Sequence, residues 1–149
     1  MSITYRMADR DDIPVLAQLR KRQLIDEGQS PDMEIDGELR QYFERHFADR
    51  SLVEWVAEDG DRIVATAAIV FMDFPPAFNN RTGIRGYVTN MYTAPSHRRR
   101  GIAAALLEKL VDGAGARGVR TVLLAASQMG KPVYRRFGFA EADGWMELV

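Results

Sequence analysis

One domain of mixed α/β type, with helices packed against a mixed sheet, follows from three features of this chain. Six short segments rich in β-branched, aromatic or other apolar residues are bounded by turn residues, as strands are. Four other segments carry apolar residues at helical spacing. Strands and helices interleave along 149 residues, a length suited to one domain that buries roughly 68–70% of its unfolded surface.

Ile3–Arg6 is the first expected strand. Asp9 can cap the helix that follows, with Asp12 three residues on favouring its positive end. Ile13, Leu16, Ala17 and Leu24 fall on one helical face, and that helix fades near Gly28. Gln29–Asp36 is polar, and a second helix is expected from about Ile35 to Ala48. Two strands follow, Leu52–Glu58 and Arg62–Met72, joined by the hairpin signal Asp59-Gly60. Asp73–Gly83, with Pro75-Pro76 and Asn79-Asn80, reads as a long loop, and Ile84–Thr93 as the fourth strand.

A helix from Gly101 gathers Ile102, Leu106, Leu107, Leu110, Val111 and Ala114 on one broad face until Gly113–Gly118 ends it. Val119–Ala125 is a strongly apolar strand, and its connection to the fourth strand through that helix suits a parallel crossover. Gly130–Phe137 is a short helix that Gly138 can terminate, and Trp145–Val149 reads as a last strand.

Composition narrows the function. Twenty basic against twenty-one acidic residues argues against a chain built to wrap nucleic acid. The absence of cysteine excludes disulfides, thiolate zinc sites and cysteine nucleophiles, and the two histidines, His46 and His97, stand too far apart in sequence to suggest a metal site. No apolar run approaches the roughly 18 residues of a membrane span and no signal core opens the chain, so a cytoplasmic protein without a metal or a membrane partner is expected.

Two segments carry chemistry. In the first, a strand ending at Met91-Tyr92-Thr93 meets Pro95, three arginines (Arg98, Arg99, Arg100), Gly101 and then a helix opening with Ile102-Ala103. Unpaired N–H groups of a helix's first turn, its dipole and a glycine that admits close approach together suit a phosphate. Gly113-Ala-Gly115-Ala-Arg-Gly118 also fits Gly-x-Gly-x-x-Gly, but it closes a helix instead of opening one, so it is read as a terminator. In the second segment, Ser127-Gln-Met-Gly130-Lys-Pro-Val133-Tyr134-Arg-Arg-Phe137-Gly138-Phe139, Val133 and Phe137 face the core and Tyr134 is rotated about 100° away, towards a cleft.

Together these segments resemble the GCN5-related N-acetyltransferase (GNAT) family. Arg98–Ala103 matches its pyrophosphate motif, Gln/Arg-x-x-Gly-x-Gly/Ala, and the second segment is similar to its Asn-x-x-Ala-x-x-x-Tyr…Gly-Phe signature. Ser127 stands at the usual asparagine and Gly130 at the usual alanine, which removes one expected side-chain contact to pantetheine. The resemblance implies a mostly antiparallel sheet with a splayed parallel strand pair, flanking helices, and acetyl-CoA as co-substrate. It implies transfer of the acetyl group to a primary amine of a small molecule or peptide by direct attack on the thioester. Met91, Tyr92 and Thr93 would meet the pantetheine and thioester, Arg98–Ala103 and Ser127 the rest of the CoA, and Tyr134 would be the general acid.

The fourth strand has no carboxylate to serve as base, leaving a water held by Tyr87, Thr89 and Asn90, or one of Asp26, Glu27, Asp32, Glu34 and Asp36. Acceptor selection is expected from Gly28–Ile35 and from Asp73–Gly83, where Phe74 and Phe78 could form a wall. A homodimer is compatible with the sequence. Two other readings compete: a non-catalytic acyl-CoA sensor of the same fold, and nucleic-acid binding through Arg98–Arg100 with Arg135-Arg136, against which the near-neutral charge counts.

Overall fold

A computed structural model describes residues 2–142 and 144–149. The chain forms β1 (Ile3–Met7), α1 (Ile13–Asp26), α2 (Asp36–Ala48), β2 (Leu52–Asp59), β3 (Arg62–Asp73), β4 (Ile84–Thr93), α3 (Ile102–Ala116), β5 (Val122–Leu124) and α4 (Lys131–Phe137). The sheet order is β1-β2-β3-β4-β5; the first four strands are antiparallel neighbours, and β5 runs parallel to β4 through the α3 crossover.

The strand period of two divides the core between the faces of this sheet. Val64, Ile69 and Val88 lie beneath Leu106, Leu107 and Leu110 of α3. Leu52, Val56 and Ala68 lie beneath Leu16 of α1 and Phe43 of α2. β3 is buried without a break from Val64 to Ile69, as a central strand covered on both faces must be. Each fully buried leucine contributes about 1.5–3 kcal/mol to holding helix on sheet.

Two expected strands differ from what forms. Val119–Ala125 shortens to Val122–Leu124 because Val119 is needed elsewhere. Its N–H donates to the Ala114 carbonyl at 2.9 Å and that of Gly118 to Gly115 at 3.0 Å, closing the C-terminus of α3 in a Schellman pattern with Gly118 at φ +79°. Trp145–Val149 forms no strand: Trp145 is 66% and Met146 98% exposed, and the segment joins no ladder among the described residues. Alternating apolar residues make a strand only beside a partner.

The start of α1 is tied to the sheet by charge. Asp9 and Asp12 form a capping box around the turn Arg10–Asp12. Asp12 accepts two 2.8 Å bonds from Arg6 on β1, and Arg6 also donates to Glu58 on β2 at 2.9 Å. The Arg6 guanidinium, outweighing burial, holds the Asp12 carboxyl below its ordinary value of 3.8. A lowered acid contributes stability that is present above its unfolded pKa and lost as pH falls through its folded one. Asp12→Asn should therefore cost about 1–2 kcal/mol near neutral pH, modest because Arg6 is partly solvated. In urea unfolding, the gap from the parent protein should close as pH drops below 3.8; a pH-independent gap would count against the ion pair as its source.

Candidate functional site

The cleft begins where β4 and β5 part. Their register ends at Val88↔Leu124, so residues 89–93 of β4 face an open side. Opposite, on β3, Thr66 pairs with Tyr92 and Ala68 with Thr89, so Asn90 and Met91 together oppose Ala67 in a β-bulge. Asn90 sits in left-handed backbone at φ +54°, its carbonyl accepting from Thr66 Oγ1 at 2.7 Å. A bulge bends and twists its strand locally, here at Asn90-Met91, and the Tyr92 side chain beside it is buried. The Thr93 carbonyl is occupied, accepting from Arg98 Nε at 3.0 Å.

The three arginines divide into two kinds. Arg98 bonds Thr93 and approaches Asp26 of α1 at 3.8 Å, so it braces the loop. Arg99, at φ +63°, and Arg100 are exposed and free to meet an anion. Gly101 follows at φ +77°, with open space where a Cβ would stand, and Ile102 and Ala103 begin α3. An anion at the N-terminus of α3 would meet backbone N–H groups and the positive end of the dipole. His97 is buried, 8% accessible. Its Nε2 lies 2.8 Å from Asp59 Oδ2 at the β2–β3 hairpin and its Nδ1 2.7 Å from Ser96 Oγ. The anion loop is thereby tethered to the far side of the sheet's end.

Across the cleft, α4 presents Tyr134, 8% exposed and edge-on to Phe139 at 6.1 Å. Burial, with a smaller push from the Glu27 charge, raises its phenol to about 12, so it stays protonated throughout the neutral range. Gly130 makes room for it: a Cβ there would stand 2.6 Å from Tyr134 Cε2. Ser127 serves the start of α4, its Oγ accepting from Gly130 N–H at 3.1 Å, which leaves its hydroxyl proton and one lone pair for a ligand.

Among the five acids of the α1–α2 region, three have other partners. Asp26 faces Arg98, Asp36 pairs with Lys21 at 2.5 Å, and Glu34 accepts from Asp36 N–H. Glu27, exposed and held by Gln23 Nε2 at 2.9 Å, is the acid whose charge reaches Tyr134. The Asp73–Gly83 loop joins β4 at its other end; Ile84 precedes Met91 by about 23 Å of strand, so the loop is not brought to this site. A cavity of about 800 Å³ lined by Trp55, Phe71, Lys109 and Arg117 also lies apart from Tyr134 and Arg98–Ala103.

Sequence reasoning missed Glu54. It lies on β2, buried among apolar residues, and accepts from Asn90 Nδ2 at 3.0 Å. Desolvation raises its carboxyl to about 8 against the Asn90 bond and the Arg20 charge. Only its charge in an otherwise apolar strand, Leu-Val-Glu-Trp-Val-Ala, could have flagged it.

A parallel strand pair that opens, a bulged edge, an anion-binding helix start and an opposed buried tyrosine define an acyl-CoA-type cleft. Residues 14–139 match the family model described as acetyltransferase (GNAT) family, and the chain belongs to that family. A predicted acetyltransferase from Clostridium acetobutylicum, solved with acetyl-CoA, is 50% identical with a TM-score of 0.96, over 99% of this chain and 96% of that one. A GCN5-related N-acetyltransferase from Ralstonia eutropha is 26% identical with a TM-score of 0.90, over 99% of both chains. Glucosamine-6-phosphate N-acetyltransferase from Arabidopsis thaliana, 19% identical with a TM-score of 0.76 over 100% of this chain and 99% of that one, shares the fold. No curated protein sequence matches the chain.

The His97–Asp59 tether makes a specific expectation. His97→Ala should weaken binding of acetyl-CoA, the ligand the sequence motif implies, by about 5–10-fold, with thermal stability little changed. Calorimetric titration of both proteins checks this; equal affinities would remove the tether from ligand binding.

Proposed function

We propose that this chain transfers the acetyl group of acetyl-CoA to a cationic primary amine of a small molecule or peptide, by direct attack on the thioester. The observation that carries this is the position of Tyr134, buried across an open β4 edge whose far end runs into the Arg98–Ala103 anion loop. A relative at 50% identity solved with acetyl-CoA supports the choice of donor.

In this reading the pyrophosphate meets the backbone of Gly101–Ala103 with Arg99 and Arg100. The pantetheine amides pair with the free edge at residues 89–93, as a strand would. The thioester carbonyl accepts from the amide of Met91 or Tyr92, which strengthens as negative charge develops on oxygen. The amine enters over the C-terminal end of α1, past Gly28–Ile35, where Glu27 attracts an ammonium and takes its proton. The freed nitrogen attacks the carbonyl carbon, the C–S bond breaks, and Tyr134 donates its proton to the sulfur. A phenol near 12 holds its proton more tightly than a thiol of about 8.5. Transfer to sulfur therefore completes as the second proton of the attacking nitrogen returns to the phenolate. One proton leaves through Glu27. One domain acting in the cytoplasm, without a metal, belongs to the same proposal.

Thiol release from acetyl-CoA across a panel of amines tests it. Turnover on a cationic amine is the expected outcome; tight acetyl-CoA binding with no turnover on any amine would point instead to a sensor. Tyr134→Phe should lower kcat by about 100-fold or more while acetyl-CoA affinity stays within about twofold. Glu27→Gln should raise KM for the amine more than KM for acetyl-CoA. Unchanged kcat in the first variant, or an unchanged amine KM in the second, would remove that residue from its role.

A further inference from the structure

Glu54 has no purpose in the packing. Its neighbours on that face of the sheet, Leu16, Phe43, Leu52 and Val56, form a hydrocarbon layer that an apolar side chain at position 54 would complete at lower cost. Glu54 is instead 2% exposed, and its partner is the one side chain that shapes the bulge. β2 and β4 are two strands apart, about 10 Å, with β3 between them. The register places Ala68 between Glu54 and Thr89, and alanine is short enough for Glu54 and Asn90 to meet above it.

Asn90 is thus gripped at both ends. Its side chain donates to Glu54 Oε1 at 3.0 Å, and its carbonyl accepts from Thr66 Oγ1 at 2.7 Å, both bonds buried. Left-handed backbone at a non-glycine residue is costly and persists where the surroundings impose it. The groups facing Glu54 are Asn90 from β4, Arg20 from α1, Asp12 before α1 and, through its hydroxyl end, Tyr42 of α2. Among these, Asn90 is the one that bonds it.

We propose that Glu54 is a positioning residue: through Asn90 it fixes the β4 bulge, and so the direction in which the Met91 and Tyr92 amides point at the thioester carbonyl. This rests on the reading that those amides polarise the thioester. Glu54 touches neither substrate; a hydrogen bond across the sheet orients the group that does. Its burial favours the neutral carboxyl, which a glutamine amide mimics in shape and in acceptor position.

The test is isotope-edited infrared spectroscopy of acetyl-CoA, labelled at the thioester carbonyl and bound to the parent protein, Glu54→Gln, Glu54→Leu and Asn90→Gly. Binding suffices, so no acceptor is required. The parent should shift the carbonyl stretch to lower frequency relative to free acetyl-CoA. Glu54→Gln should retain that shift, while Glu54→Leu and Asn90→Gly should lose most of it, each read on protein saturated with acetyl-CoA. Circular dichroism verifies folding, and Asn90→Gly, which tolerates positive φ, keeps the test open should Glu54→Leu misfold. A full shift in Asn90→Gly or in folded Glu54→Leu would overturn the proposal. So would a loss in Glu54→Gln as large as in Glu54→Leu, because the charge and not the hydrogen bond would then matter. Should the parent itself show no shift, the polarising amides fail first and the clamp falls with them, an outcome distinct from failure in the variants alone.

Discussion

Parallel pairing between β4 and β5 lasts for three residues, and everything in the cleft answers to that short ladder. Beyond Val88 the backbone of β4 must find other partners, because an unpaired strand edge within a protein is costly. The bulge at Asn90 deals with part of this by turning the edge, and the remainder is what an extended amide-bearing ligand would satisfy. The same opening lets α4 place Tyr134 across from β4, and the end of β4 delivers the chain to the anion loop within a few residues. One broken ladder therefore sets the spacing of Tyr134, the open edge of β4 and the loop before α3, the three parts to which the proposed function assigns its roles.

Side-chain tethers hold the opened geometry. His97 reaches Asp59 at the β2–β3 hairpin, and Arg98 reaches Thr93 and the end of α1. Thr66 and Glu54 grip Asn90 from β3 and β2. The two faces of the sheet differ accordingly. Beneath α3 the layer is hydrocarbon, built for rigidity. Beneath α1 the layer carries Glu54, Thr66 and Asn90, and Gln23 extends the polar groups towards Glu27 and the cleft mouth. Burying such groups is tolerable because they bond one another.

What could be read from the chain follows from the range of the interactions involved. The strand, Pro95, Gly101 and helix of residues 87–105 obey local rules of turns and helix starts, so the order strand, loop and helix start was legible. The short helix carrying Tyr134 was legible, but its facing was not: Tyr134 is the buried residue of α4, while Val133 and Phe137, expected to face the core in its place, are half-buried against the same cluster. Glu54 was not legible, since its meaning depends on a partner 36 residues away and on a small residue in the strand between. The burial of His97 was not legible either, since Asp59, 38 residues earlier, draws it inward from beside three arginines. Val119 looked like strand until its N–H was needed by α3, and Trp145–Val149 had the pattern of a strand yet lies exposed outside the sheet. The Asp73–Gly83 loop misled because length suggests function, whereas the hairpin places it at the wrong end of β4.

The most direct measurement is a crystal structure of this protein with acetyl-CoA. The pantetheine amides should hydrogen-bond the open edge of β4 at residues 89–93, with the pyrophosphate on Gly101–Ala103 and the Tyr134 hydroxyl within about 3.5 Å of the sulfur. Acetyl-CoA lying instead outside the β4–β5 opening, or with its sulfur far from Tyr134, would contradict the cleft as the site of acetyl transfer.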